Sequence, residues 1–255
     1  MDTQRRSSPA ELPPPRLIVF DLDGTLIDSR QDLCNSLNAT LRHFGKPELP
    51  DAVIASYNGD GASMLVRRAL GDPEGDAHDE QYVADALHFF LDFYRIHKLD
   101  FTYVYPGVFE ALESIQRSSP NVLMACLTNK PVGPSLAICQ ELGLTPYFFR
   151  TYGGNSFHTK KPDPHGLLEL INEASSLAAT SAANPLEILP AQTVMVGDSA
   201  VDVLTARACG ARSIGCTFGL APESLLTVPP DALASSPTDW PSLLGVLRVQ
   251  DLTRS

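Results

Sequence analysis

At 255 residues the chain can bury the core of one or two domains, and its apolar share of 44% and charged share of 19% are those of an ordinary globular protein. A net charge of -11 argues against nucleic acid or an anionic membrane as partner, and no apolar run approaches the roughly 20 residues of a membrane span. Five cysteines (Cys34, Cys126, Cys139, Cys209, Cys216) stand in neither CxxC nor metal-binding spacing and read as small buried hydrophobes in a reducing cytoplasm.

Residues 1–15 carry Arg5 and Arg6 with no apolar segment behind them, then Pro13-Pro14-Pro15, and read as a disordered leader rather than a signal peptide. The apolar run Leu17-Ile18-Val19-Phe20 predicts a buried strand and leads straight into Asp21-Leu22-Asp23-Gly24. Asp28-Ser29 reads as a helix N-cap, with Leu33, Leu37, Leu41 and Phe44 at helical spacing and Gly45 and Pro47 as the stop. Residues 51–70 read as helix broken by Gly59 and Gly61, residues 71–78 as a loop, and residues 79–98 as helix with Val83, Ala86, Leu87, Phe90, Phe93 and Tyr94 on the buried stripe. No strand signal occurs between about 30 and 100, so a helical block is inserted after the first strand.

From Pro106-Gly107 the pattern becomes helix (108–115), strand (122–127), helix (134–142), short strand (148–152), helix (164–174), strand (193–196), helix (201–208) and a last strand (213–217). Residues 175–190 read as a surface loop, and Trp240 to Val249 as a closing helix. Strands alternating with helices imply an α/β fold with a parallel sheet covered on both faces. The expected division is a core from 16–29 and 101–255, with the helical block at 30–100.

The chemistry concentrates where the predicted strands end. Asp21 and Asp23 lie one residue apart at a carboxyl edge, where α/β folds place ligands. Two such acids repel each other unless a cation or a reaction needs them, and a divalent metal that prefers oxygen satisfies both. Leu127-Thr128-Asn129-Lys130 ends the second apolar run, Lys160-Lys161-Pro162-Asp163-Pro164 follows, and Val196-Gly197-Asp198-Ser199 ends another, with Asp202 four residues on. A calcium loop would need an acid at position 25 and glycine at 26, where Thr25 and Leu26 stand.

These four motifs, in this order, resemble those of the haloacid dehalogenase-like hydrolase superfamily. The resemblance implies a Rossmann-like parallel sheet core with a small α-helical cap domain inserted, Mg²⁺ as cofactor, and a phosphate monoester as substrate. Asp21 would be the nucleophile that forms an aspartyl-phosphate, and Asp23 the general acid and base. Asp21, Asp198 and the backbone carbonyl of Asp23 would hold the metal. Thr128, Asn129 and Lys161 would bind the phosphoryl oxygens, with Lys161 preferred to Lys160 because the family motif places its lysine directly before proline. Asp202 would orient Lys161 or a metal-bound water.

Within the superfamily, Gly59-Asp60-Gly61, Leu65, Arg68-Ala69-Leu70, Thr128-Asn129-Lys130-Pro131 and Thr217-Phe218-Gly219 resemble bacterial phosphoglycolate phosphatases. The implied substrate is 2-phosphoglycolate, a small phosphorylated metabolite handled by a monomer or homodimer in the cytoplasm. Arg68 is the candidate for gripping its carboxylate. A sugar-phosphate mutase shares every core motif, and a pyrophosphatase or broader phosphatase differs only in substrate ranking. A dehalogenase needs neither Asp23 nor Asp198.

Overall fold

The computed structural model describes residues 13–245, apart from residues 58, 73 and 182–186. Strand β1 (Leu17–Phe20) is wholly buried, and its side chains alternate: Leu17 and Val19 enter one apolar layer, Ile18 and Phe20 the other. The two-residue strand β2 (Ile27–Asp28) follows the paired acids. Four helices come next: α1 (Arg30–His43), α2 (Asp51–Ala55), α3 (Ala62–Leu70) and α4 (Glu80–His97). Strand β3 (Tyr103–Val104) then pairs antiparallel with β2, so a short ribbon joins the points where the chain leaves and re-enters the sheet domain. The remainder runs α5 (Val108–Ser118), β4 (Leu123–Leu127), α6 (Val132–Glu141), β5 (Thr151–Tyr152), α7 (His165–Ser181), β6 (Thr193–Gly197), α8 (Ala200–Cys209), β7 (Arg212–Cys216), β8 (Ala232–Ala234) and α9 (Trp240–Leu243).

The six-stranded sheet has the order β5-β4-β1-β6-β7-β8, and every pairing in it is parallel. From β1 the chain first builds outward through β4 and β5, then crosses to the other side of β1 and builds through β6, β7 and β8. That reversal opens a crevice at the carboxyl ends of the central strands. Helices α5, α6 and α9 cover one face, with Leu112, Ile115 and Ile138 packed around Phe20 and Trp240. Helices α7 and α8 cover the other through Leu167, Leu170, Ile171 and Ala206. Phe20 and Trp240, both fully buried with ring centroids 5.2 Å apart, each contribute about 1.5–3 kcal/mol by burial.

Helices α1 to α4 enclose an apolar core of their own, made of Leu33, Leu37, Leu41, Ile54, Leu65, Val66, Val83, Phe90 and Tyr94 among others. The spacing of Val83, Ala86, Phe90 and Tyr94 buries one stripe of α4, while Leu87 and Phe93 lie at its half-buried margin. Buried Asp32 pins the return of the chain, accepting from the Phe101 and Thr102 amides and, at 2.7 Å, from the Thr102 hydroxyl.

Several elements differ from the sequence expectation. Helix α7 runs to Ser181, through the first part of the segment expected to be loop. Its hydroxyls cooperate with the helix, Ser175 donating to the Ile171 carbonyl and Ser176 to that of Asn172. Ile188, beyond residues 182–186, returns to the buried core. β8 and the β2–β3 ribbon were not expected, and a segment of two or three residues carries no measurable period. The closing helix comprises Trp240–Leu243, and the leader up to residue 12 and the chain from 246 lie outside the described residues.

Candidate active site

Three neighbouring strands deliver three side chains to one edge. Phe20 is in register with Cys126 of β4 and Val196 of β6, so the residues just beyond each strand, Asp21, Thr128 and Asp198, emerge side by side. The Asp21 amide donates to the Val196 carbonyl at 2.8 Å, which carries the parallel register one residue past β1. Asp21 Oδ1 accepts from the Leu22 amide at 2.7 Å and lies 2.9 Å from Lys161 Nζ. Lys161 also donates to Asp202 Oδ1 at 2.6 Å. Asp202 Oδ2 in turn accepts from the amide and hydroxyl of Ser199, at the start of α8. Asp198 Oδ2 accepts from the Leu220 and Ala221 amides at 2.6 and 3.0 Å.

Carboxylate oxygens of Asp21, Asp198 and Asp202 all lie within 4.8 Å of one another, and all three residues are buried. Burial pushes the Asp21 carboxyl up to about 6, against the lowering field of Lys161. Burial and the neighbouring Asp202 and Asp21 push Asp198 up to about 8. Burial alone would lower the Lys161 ammonium, but Asp202 and Asp21 more than offset it and hold it above the usual lysine range. One ammonium among three buried acids leaves negative charge uncompensated. Crowded oxygen donors of this kind fit a small hard divalent cation.

Gly24 marks how closely this pocket is built. Its φ is +82°, and a Cβ there would lie 2.1 Å from Asp198 Oδ2. Gly24→Ala is expected to lose about 2–4 kcal/mol of stability, from the strained backbone and the displaced carboxylate together. It should also weaken the stabilising response to Mg²⁺. Urea melts with and without the ion check this, and a variant matching the parent in both would show that the Asp198 position is not set by Gly24.

Asp23 points away from the three-acid cluster. Its Oδ1 accepts from the Ser29 hydroxyl at 2.5 Å, and both its oxygens accept from Lys130 Nζ, at 3.0 and 2.9 Å. Ser29 therefore spends its hydroxyl on Asp23 instead of capping α1, where Asp28 accepts from the Arg30 amide. Thr128 is buried and accepts from the Lys130 amide at 3.2 Å. Asn129 Nδ2 donates to the carbonyls of Lys161 and Gly59, both at 2.9 Å, and so ties the helical block to the sheet edge. Gly61, with φ +84°, permits that approach, since a Cβ there would lie 2.9 Å from the Asn129 carbonyl oxygen.

A cavity of about 70 Å³ lies between the helical block and the sheet edge. Asp21, Asp23, Asp198, Thr128 and Asn129 line it, with Leu33, Leu65, Phe90, Pro131 and Pro134 as apolar wall. Lys161 touches Asp21 but is not among the residues that line the cavity. Arg68 stands elsewhere: it donates to the Tyr57 carbonyl at 2.9 Å, pairs with Asp60, and faces an open depression beside Lys160 and Pro162. Lys130, Ser29 and Tyr94 border the site without having been singled out from sequence. Lys130 stood inside a quoted motif, but a lysine in a loop reads as solvated, and only the fold buries it.

Residues 18–216 match the haloacid dehalogenase-like hydrolase family. The chain belongs to that family. This haloacid dehalogenase-like hydrolase is 36% identical over 211 residues to a phosphoglycolate phosphatase of Chromobacterium violaceum, covering 83% of this chain and 89% of that one. It is 39% identical over 207 residues to phosphoglycolate phosphatase 1 of Pseudomonas aeruginosa, covering 80% and 70% of the two chains. Its fold superposes on the crystal structure of a predicted phosphoglycolate phosphatase from Haemophilus somnus with a TM-score of 0.79 and 27% identity, over 90% of this chain and 97% of that one. It is thus a phosphoglycolate phosphatase-like hydrolase with an α/β Rossmann-like core, and no described helix is long and apolar enough to cross a membrane.

Proposed function

We propose that this hydrolase cleaves 2-phosphoglycolate to glycolate and phosphate in the cytoplasm, with Mg²⁺ as cofactor. The observation that carries the reading is a buried Asp21 beside Thr128, Lys161 and the acid cluster, in a chain resembling phosphoglycolate phosphatases over four fifths of its length. Lys161 and the Leu22 amide hold Asp21 Oδ1 and fix the plane of the carboxylate, which leaves Oδ2 to attack phosphorus. Attack forms an aspartyl-phosphate and expels glycolate, and water then cleaves the acyl-phosphate bond to regenerate Asp21. Asp23, fixed by Ser29 and Lys130, hands a proton to the departing alkoxide and takes one from the incoming water. Thr128 supplies a donor to the phosphoryl oxygens, and Lys161, held against Asp21 and Asp202, supplies positive charge close by.

Asp21 and Asp198 would hold the Mg²⁺, with the Asp23 carbonyl that the family resemblance implies and with Asp202 beside them. When bound, the ion offsets repulsion between the carboxylates and the phosphoryl group. The small, partly apolar cavity suits a two-carbon leaving group better than a hexose, which favours phosphoglycolate over the substrates of a sugar-phosphate mutase.

Phosphate release from phosphoglycolate, β-glucose 1-phosphate, pyrophosphate and p-nitrophenyl phosphate, with Mg²⁺ and then with EDTA, tests the proposal. kcat/KM is expected to be at least about tenfold higher for phosphoglycolate and to vanish with EDTA. A flat ranking would reject the substrate, and full activity in EDTA would reject the metal.

A further inference from the structure

The cavity contains a phenol that phosphoryl transfer to Asp21 does not use, and beside it Lys130, whose part in that transfer is to hold Asp23. Tyr94, on α4 of the helical block, is only 2% exposed and lines the cavity, and its buried hydroxyl makes no hydrogen bond within 3.5 Å among the described residues. Lys130 Nζ lies over the Tyr94 ring, 4.6 Å from its centroid, so the ammonium acts on the phenol through its charge and through an N–H directed near the hydroxyl. An ammonium has three N–H donors, and Asp23 accepts at most two of them. Among the described residues Lys130 is the only lysine or arginine that lines the cavity, where the carboxyl groups are those of Asp21, Asp23 and Asp198. An anionic organic group entering here finds a protein cation at Lys130 and, beside it, a phenol donor at Tyr94. The apolar wall of Phe90, Leu91 and Leu65 lowers the local dielectric and strengthens that preference. Arg68, bound to Asp60 and the Tyr57 carbonyl, lies outside the cavity.

Building on the phosphoglycolate reading, we propose that the Tyr94 hydroxyl and the Lys130 ammonium form the subsite for the carboxylate on the organic half of the substrate. These two residues, rather than Arg68, then select carboxylated phosphate monoesters. The buried phenol gains the acceptor it lacks, and Lys130 is shared between Asp23 and the incoming carboxylate. Tyr94 belongs to the helical block and Lys130 to the sheet domain, so the subsite is complete only with the block seated. The bonds from Asn129 to the Gly59 carbonyl and from Lys160 to the Asp60 carbonyl provide that seating.

The test compares kcat/KM for 2-phosphoglycolate with that for 2-hydroxyethyl phosphate, which keeps the two-carbon skeleton and lacks the carboxylate. The full-length protein, Tyr94→Phe, Lys130→Met and Arg68→Ala are each assayed with Mg²⁺. Tyr94→Phe keeps the ring over the ammonium and removes only the oxygen. It is expected to lower the ratio about tenfold, chiefly through KM for phosphoglycolate, and Lys130→Met about a hundredfold. Loss of the grip on Asp23 slows Lys130→Met on both substrates, which the ratio cancels. A parental ratio near one removes the phosphoglycolate reading and this subsite with it. A high parental ratio that survives both substitutions overturns the subsite and leaves phosphoglycolate standing. A ratio that collapses in Arg68→Ala but holds in Tyr94→Phe also overturns it, returning selectivity to Arg68.

Discussion

Asp21→Asn is expected to lower kcat for phosphate release by at least about 10⁴-fold while leaving the protein folded. The substitution keeps the shape of the side chain and its bond from the Leu22 amide, but an amide oxygen does not form the acyl-phosphate. The parent should also yield, after acid quenching during turnover, a peptide containing Asp21 that carries one extra phosphoryl group. The variant should yield none. Stability is expected to be equal or higher in the absence of metal, because one of three crowded buried acids has gone. A kcat within tenfold of the parent, or a phosphoryl group found on another residue, would remove Asp21 as nucleophile. Asp23 gives a useful contrast. Its carboxylate is held by Ser29 and Lys130, away from the acid cluster, so Asp23→Asn should slow leaving-group departure most for poor leaving groups such as glycolate and least for p-nitrophenol.

The parts of the site that were legible in the sequence are those where chemistry occupies contiguous residues. Asp21, Thr128 and Asp198 each follow an apolar run, and a parallel register alone brings three such ends together. Lys161 was legible through its motif, and its partner Asp202 through its spacing from Asp198. The rest depended on tertiary placement. Ser29 has the sequence context of a helix cap, yet its hydroxyl turns to a carboxylate six residues back. Tyr94 reads as one more apolar position on the α4 stripe, and nothing local shows that its oxygen ends in a cavity beside Lys130. Arg68 shows the converse, since an arginine in a helical segment gave no sign that Asp60 and the Tyr57 carbonyl would engage it. In the fold, the alternation of strands and helices was readable because each central strand is a continuous apolar run. β8 and the β2–β3 ribbon were not, because pairing with a neighbour defines them rather than any pattern of their own.

Lys161→Met should be the most destabilising single change at the site. Lys161 is 4% exposed, and its ammonium bridges Asp21 at 2.9 Å and Asp202 at 2.6 Å. Methionine fills the volume of the lysine stem but leaves buried carboxylates without their shared counter-charge. Removing one partner of a buried ion pair costs about 3–5 kcal/mol. For a protein of this size that corresponds to a fall in Tm of about 10 °C. The origin of the loss is testable by charge balance. Adding Asp202→Asn to Lys161→Met removes one of the stranded acids, so the double variant should recover a large part of the lost stability. Mg²⁺ should also stabilise Lys161→Met more than it stabilises the parent, because the ion then meets acids that no ammonium is compensating. Activity should not return with stability. The double variant still lacks the cation that holds Asp21 Oδ1 and should remain about 10²–10³-fold down in kcat/KM. Equal Tm values for the parent and Lys161→Met would show that the acids are satisfied without the lysine. Recovery of activity along with stability would mean that Lys161 supports the fold of the site and takes no part in binding the phosphoryl group.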